Sequence, residues 1–92
     1  GPARMALMTV YHHQKSYRRQ HKAWAKSLQA LGLDDHKWPR MIAAPTITLT
    51  TDGYVATVLH KTRDGRNRIY QVRSDSKLTA GGRIETRNVE PK

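Results

Sequence analysis

Residues 46–73 read TITLTTDGYVATVLHKTRDGRNRIYQVR, and their apolar positions recur with a period of two. Ile47 and Leu49 alternate with Thr46, Thr48 and Thr50, the pattern of a strand with one face buried and one wet. Thr51-Asp52-Gly53 supplies turn residues, and residues 54–61 form a second strand rich in β-branched side chains. At Arg63-Asp64-Gly65-Arg66 the chain reverses. Either Asp64-Gly65 makes a two-residue type I′ turn, or Gly65 is the left-handed residue of a three-residue loop. Residues 68–73 return as the third strand. The two loop lengths differ in register by one, so Tyr70 and Val72 share a face either with Val58 or with Val55 and Leu59. Ser74-Asp75-Ser76 ends the third strand and Gly81-Gly82 breaks the chain. Residues 83–89 read as a fourth, edge strand or a loose tail, and residues 90–92 as a disordered tail.

Upstream of Thr46 the period lengthens to that of a helix. In residues 15–29, KSYRRQHKAWAKSLQ, the positions Tyr17, His21, Trp24 and Leu28, continued by Leu31, recur at steps of four and three and share one side. Lys15, Arg18, Arg19, Lys22, Lys26 and Gln29 project from the other. We expect an amphipathic helix over residues 10–31, with Thr9 as N-cap or, for a later start, Ser16. Gly32 suits the left-handed residue that ends a helix, and Leu33 the hydrophobic contact that accompanies a Schellman ending. Residues 3–8 carry no pattern that fixes them. Gly1-Pro2 resembles a protease cleavage scar, so residues 1–8 are expected to be a flexible N-terminus, with the native start at Met5 or Met8. Asp34 and Asp35 can cap a short turn, and a second short helix is expected from Pro39 to Ala44, ended by Pro45. A helix followed by an antiparallel meander is an α+β fold. The expected architecture is therefore a long N-terminal helix, with a possible short second helix, on a three- to four-stranded antiparallel sheet, as one domain over residues 9–89.

Composition sets further bounds. The 92 residues suffice for one domain with a modest core, only 37% are apolar, and Phe is absent, so two Trp and four Tyr carry the aromatic packing. With no cysteine, disulfides, thiolate nucleophiles and Cys-based zinc sites are excluded. A domain this small without disulfide staples is expected in the cytoplasm or elsewhere inside the cell. No apolar run approaches the roughly 18 residues that cross a bilayer, and a membrane partner is not expected. A basic amphipathic helix lying on a membrane surface is disfavoured too, because the apolar side is narrow and includes His21.

Charge points to the function. Seventeen Lys and Arg against seven Asp and Glu give a formal net charge of +10 and a pI near 10.6. No acid occurs in residues 1–33, so the i,i+4 neighbours Lys15 with Arg19, Arg18 with Lys22, and Lys22 with Lys26 all repel. Each such pair costs on the order of 0.2–0.5 kcal/mol, a cost that an anionic partner would offset. The second basic feature is the hairpin, with Lys61, Arg63, Arg66, Arg68 and Arg73, since a two-stranded ribbon can enter a groove of duplex nucleic acid. The expected function is a non-enzymatic nucleic-acid-binding domain, with DNA favoured over RNA, contacting phosphates through Lys15, Arg18, Arg19, Lys22 and Lys26 together with those hairpin residues.

Two alternatives stand beside it. One is a small accessory or inhibitor protein that docks its basic surface on an acidic groove of a larger protein. The other is a metal-independent ribonuclease, with His60, Arg68 and Tyr70 as acid, base and phosphate clamp. No metal site, cofactor or small-molecule substrate is expected, because the five histidines include no pair at ligand spacing on the helix and no phosphate-cradling glycine motif is present. His21 is expected half-buried on the apolar face. Tyr11, Tyr54 and Tyr70 are the rings available for single-strand stacking.

Overall fold

A computed structural model describes residues 1–74; the expected edge strand at 83–89 and the tail at 90–92 lie outside them. The element order is a helix, α1 (Pro2–His21), then three strands, β1 (Thr46–Thr50), β2 (Gly53–Lys61) and β3 (Asn67–Arg73). The strands form one antiparallel sheet in the order β1-β2-β3. This is an α+β arrangement, with the helix laid on one face of the sheet.

The helix lies earlier in the chain than its expected span of residues 10–31. It begins at Pro2, whose fixed φ suits a first helical turn, and Met5 N–H donates to Gly1 O at 3.1 Å. Ala, Met and Leu dominate its first turns and are strong helix formers. Ala3, Ala6, Leu7, Val10 and Gln14 make up its buried face. The expectation of a flexible stretch over residues 1–8 is therefore corrected: those residues supply two turns of helix and part of the core. The phase read from Tyr17 and His21 is the same phase, because steps of three and four lead from Ala3 through Leu7, Val10 and Gln14 to both. At its C-terminal end, however, the helix runs past its apolar support.

What stops α1 is Lys22, which adopts a left-handed conformation (φ 58°) while its N–H bonds Arg18 O at 2.8 Å. The chain then doubles back, and Gln14 holds the return. Its Nε2 donates to Ala25 O and its Oε1 accepts from Ala25 N–H, both at 2.8 Å and both buried. The amide side chain thus satisfies one residue's donor and acceptor as a neighbouring strand would. Farther on, the ending read at Gly32 is present but closes a single turn. Gly32 has φ 76°, its N–H bonds Gln29 O at 2.9 Å, and Leu33 N–H bonds Leu28 O at 2.9 Å, a Schellman pair of bonds. Ser27 Oγ caps the other end of that turn by accepting from Ala30 N–H at 3.1 Å.

The second short helix expected at residues 39–44 does not form. Ile42 instead makes an antiparallel bridge to His60, while Ala43 N–H bonds Leu59 O at 3.0 Å and Lys61 N–H bonds Met41 O at 2.8 Å. Unpaired backbone groups on the last residues of β2 outweigh the local preference, and residues 41–43 extend the sheet past the start of β1.

The β2–β3 connection is the longer of the two loops read from the sequence. Lys61 pairs with Asn67, Thr62 N–H bonds Arg66 O at 2.8 Å, and Gly65 takes the left-handed position at φ 85°. This fixes the register as Val58 opposite Tyr70 and Ala56 opposite Val72. Tyr54, Ala56, Val58 and Val72 consequently face α1. They form the core with Ala3, Ala6, Leu7, Val10, Leu33 and Ile42, while Tyr11, Trp24, Leu28, Leu31, Trp38, Ile47 and Tyr70 pack around it. By the alternation of the pleat, Val55, Thr57, Leu59 and Lys61 point to the other face, with Ile69, Gln71 and Arg73 beside them.

Candidate functional site

Lys15, Arg18, Arg19 and Lys22 are all exposed and crowd the last two turns of α1 and its cap. Two of them are held by rings. Arg18 Cζ lies 4.7 Å from the centroid of Trp24, and Lys15 Nζ lies 5.5 Å from that of Tyr11. Trp24 in turn meets the buried Tyr54 edge-on, with ring centroids 5.0 Å apart, so the Arg18 guanidinium rests on a stack anchored in the core. A groove of about 420 Å³ passes Arg18, Lys22 and Trp24 and continues along Thr50, Asp52 and Gly53.

Four exposed cations gather at this end, and Asp52 is the one acid that lines the groove beside them. Among the described residues the one ion pair is Arg66 with Asp64, at 3.6 Å, far from this cluster. The negative end of the α1 dipole favours Arg18 and Arg19 in the last turn, by about 0.3–1 kcal/mol for each charge. That accounts for cations at a helix C-terminus but not for the missing acids. Any anion here would be held by side chains, since helix carbonyls and not N–H groups point outward at this end.

The rest of the expected surface is divided. Lys26 is exposed but follows Ala25 on the returning chain, so it is not collinear with the stripe on α1. Lys61, Arg63, Arg66 and Arg68 are exposed at the far end of the sheet. β2 runs from the helix-end cluster to the hairpin, and at about 3.3 Å per residue it separates the two by roughly 26 Å. Among the described residues the two groups do not form one continuous basic surface. Arg73 parts from the hairpin group as well, because it pairs with Val55 near the start of β2 and points to the face away from α1.

Within the hairpin tip, Asp64 is committed to its own loop. Thr62 Oγ1 donates to it, Arg66 N–H reaches it at 3.3 Å, and these bonds, the Thr62 one foremost, hold its carboxyl below the usual carboxylate range. Arg66 is partly tied to the same group. Lys61, Arg63 and Arg68 are the freer cations at this end.

The side chains considered for other chemistry fall differently. His60 and Arg68 are cross-strand partners, and the His60 ring lies 6.1 Å from that of Tyr70. His60 Nδ1, however, is buried with no hydrogen-bond partner, which leaves only Nε2 to face a ligand. His21 is exposed, not half-buried, and stacks on Tyr17 at 4.1 Å, because α1 overruns the sheet at that point. Tyr54 is 1% exposed, so it cannot serve as a stacking platform, and Tyr11 and Tyr70 pack against the core. Burial, with a smaller contribution from Tyr11, pushes the Tyr54 phenol far above its usual range.

Two residues went unread in the sequence. Gln14 carries the turn that presents Lys22 and Trp24, and its place in the apolar phase between Val10 and Tyr17 was the available signal. Arg40 lines a groove with Lys61 and Arg63, brought there by the bridge at Ile42, a long-range pairing without a local signature. No helix among the described residues is long and apolar enough to cross a membrane, and among them no group of acidic, His or Cys side chains is arranged to hold a metal ion. No protein-family model matches this chain, and no curated protein or solved structure matches it either.

Proposed function

We propose that this chain is a small non-enzymatic nucleic-acid-binding domain whose principal contact surface is the cationic end of α1. The observation that carries the reading is the exposed set Lys15, Arg18, Arg19 and Lys22, on a segment free of acids, with no ion pair to any described residue. Lys15 to Lys22 covers about 10 Å of helix axis at 1.5 Å per residue. Duplex DNA presents about six phosphate charges over that length, at one per roughly 1.7 Å. Duplex is preferred to single strands because the ring that would be stacked upon, Tyr54, is buried, while Tyr11 and Tyr70 are half-buried. The hairpin residues Lys61, Arg63, Arg66 and Arg68 form a second, separate patch that a long ligand reaches only by spanning the sheet.

Fluorescence polarisation with labelled duplex and single-stranded oligonucleotides over a range of salt tests this. Four phosphate contacts give a slope of log K against log salt of about −3 to −4, which is roughly a 100-fold loss between 50 and 200 mM. Absence of binding at low salt would overturn the reading and leave an acidic protein surface as the partner of the same cations.

A further inference from the structure

At the far end of the sheet, residues 40–43 run beside the last residues of β2 and leave a groove of about 550 Å³ bordered by Arg40, Met41, His60, Lys61 and Arg63. A smaller depression of about 260 Å³ adjoins it and adds Ala43 and Leu59. The floor is aliphatic. Met41 is 47% exposed and Leu59 38%, and next to the groove, on the β3 side of Leu59, its cross-strand partner Ile69 is 46% exposed. Ile42 turns inward to the core, so its neighbours Met41 and Ala43 turn outward with Leu59 and Ile69. Isolated exposed apolar residues are ordinary, but these adjoin one another by register and are edged by Arg40, Lys61 and Arg63. Asp64, the acid within the hairpin loop, is engaged by Thr62 and Arg66.

From this pairing of apolar floor and cationic rim we infer that the groove is a docking site for an acidic segment of a partner protein that carries aliphatic side chains. Carboxylates of the segment meet Arg40, Lys61 and Arg63, and its aliphatic side chains cover Met41, Leu59 and Ile69. Met41 suits such a surface because its thioether chain adapts to varied shapes. Nucleic acid fits less well: it has phosphates for the rim but nothing aliphatic for the floor, and the ring that borders the groove, His60, is half-buried with its Nδ1 turned into the interior. A second copy of this chain is disfavoured by charge, since its own rim would bring three more cations against these three. The site lies at the opposite end of β2 from the α1 cluster and does not depend on the nucleic-acid reading.

The test is an NMR titration of the isotope-labelled full chain with a short peptide alternating Glu and Leu. A peptide of equal length alternating Glu and Ser and a single-stranded oligonucleotide serve as comparisons. The expected result is movement of the Met41, Leu59, Lys61 and Ile69 amide signals, with the Glu-Leu peptide binding on the order of tenfold more tightly than the Glu-Ser one, the value of burying one or two aliphatic side chains. Leu59→Ser and Met41→Ser, both exposed and so compatible with folding, should each weaken the Glu-Leu peptide about fivefold. Equal affinity for the two peptides would overturn the inference, as would stronger displacement of the same signals by the oligonucleotide. Signals that move on simple dilution would overturn it in favour of a second copy. Failure of oligonucleotides to act at Arg18 and Lys22 bears only on the function proposed above.

Discussion

Gln14 is the side chain on which the turn after α1 depends. It occupies a fully buried position and makes both of its hydrogen bonds to Ala25, so removing the amide leaves a buried N–H and a buried C=O without partners. Each such group costs about 1–3 kcal/mol. Gln14→Leu, close in volume, is therefore expected to lower stability by about 2–6 kcal/mol in urea denaturation. Because Trp24 would lose its seating, the variant should also shift the Trp emission of its folded state. Tyr54 supplies a second test at this scale. A phenol whose pKa is raised by folding contributes stability that is complete below its ordinary value of about 10 and is lost as pH rises toward the raised value. The Tyr54 phenolate, isolated as the absorbance difference from Tyr54→Phe, should appear only together with loss of the helical circular dichroism. Ionisation of Tyr54 in a still-folded chain would show that its hydroxyl reaches solvent.

At the scale of elements, what the sequence revealed depended on how local the cause was. The strand at residues 46–50, the Asp64-Gly65 reversal and the left-handed ending at Gly32 are each written within a few residues and each occurs where it was read, although Leu49 on that strand is exposed and the Gly32 ending closes a single turn and not α1. The extent of α1 was not legible in the same way. Ala3 and Ala6 mark its buried face weakly, and the rule that Leu28 and Leu31 continue a helix holds only if nothing interrupts it. Lys22 in the left-handed region and Gln14 reaching back to Ala25 interrupt it through contacts formed only on folding. The bridge of Ile42 to His60 likewise replaced a locally reasonable helix. Of the site, the cations on α1 were legible from the lack of acids. The separation of the hairpin from them was not, because it depends on which end of the sheet α1 finishes over. A consequence concerns the first turns of α1. Leu7 is fully buried among core residues, so Leu7→Ala should cost about 2–5 kcal/mol in thermal or urea unfolding. A change within about 0.5 kcal/mol would mean that residues 1–8 lie off the sheet.

Over the described residues, the two cation clusters stand at two ends of a thin body, 42 × 32 × 16 Å along its principal axes. One end is the helix terminus with Arg18 stacked on Trp24. The other is the hairpin and the Arg40 groove, where cations border an apolar floor. A net charge of +10 draws polyanions to both by long-range attraction, but short-range chemistry differs between them. Guanidinium and ammonium groups at the helix end, two of them resting on rings, suit phosphates, while the hairpin end sets its cations beside the wider aliphatic surface of Met41, Leu59 and Ile69. Affinity for nucleic acid should therefore fall more on changes at the helix end than on changes at the hairpin end.

The most direct measurement compares duplex binding by polarisation for the parent chain, for Arg18→Glu with Lys22→Glu, and for Arg63→Glu with Arg68→Glu, each checked by circular dichroism for folding. The expected result is a loss of at least about tenfold for the helix-end variant, with its salt slope reduced by about 2, and a smaller loss for the hairpin variant. Duplex binding by a folded helix-end variant that equals the parent's would contradict the assignment of α1 as the contact surface.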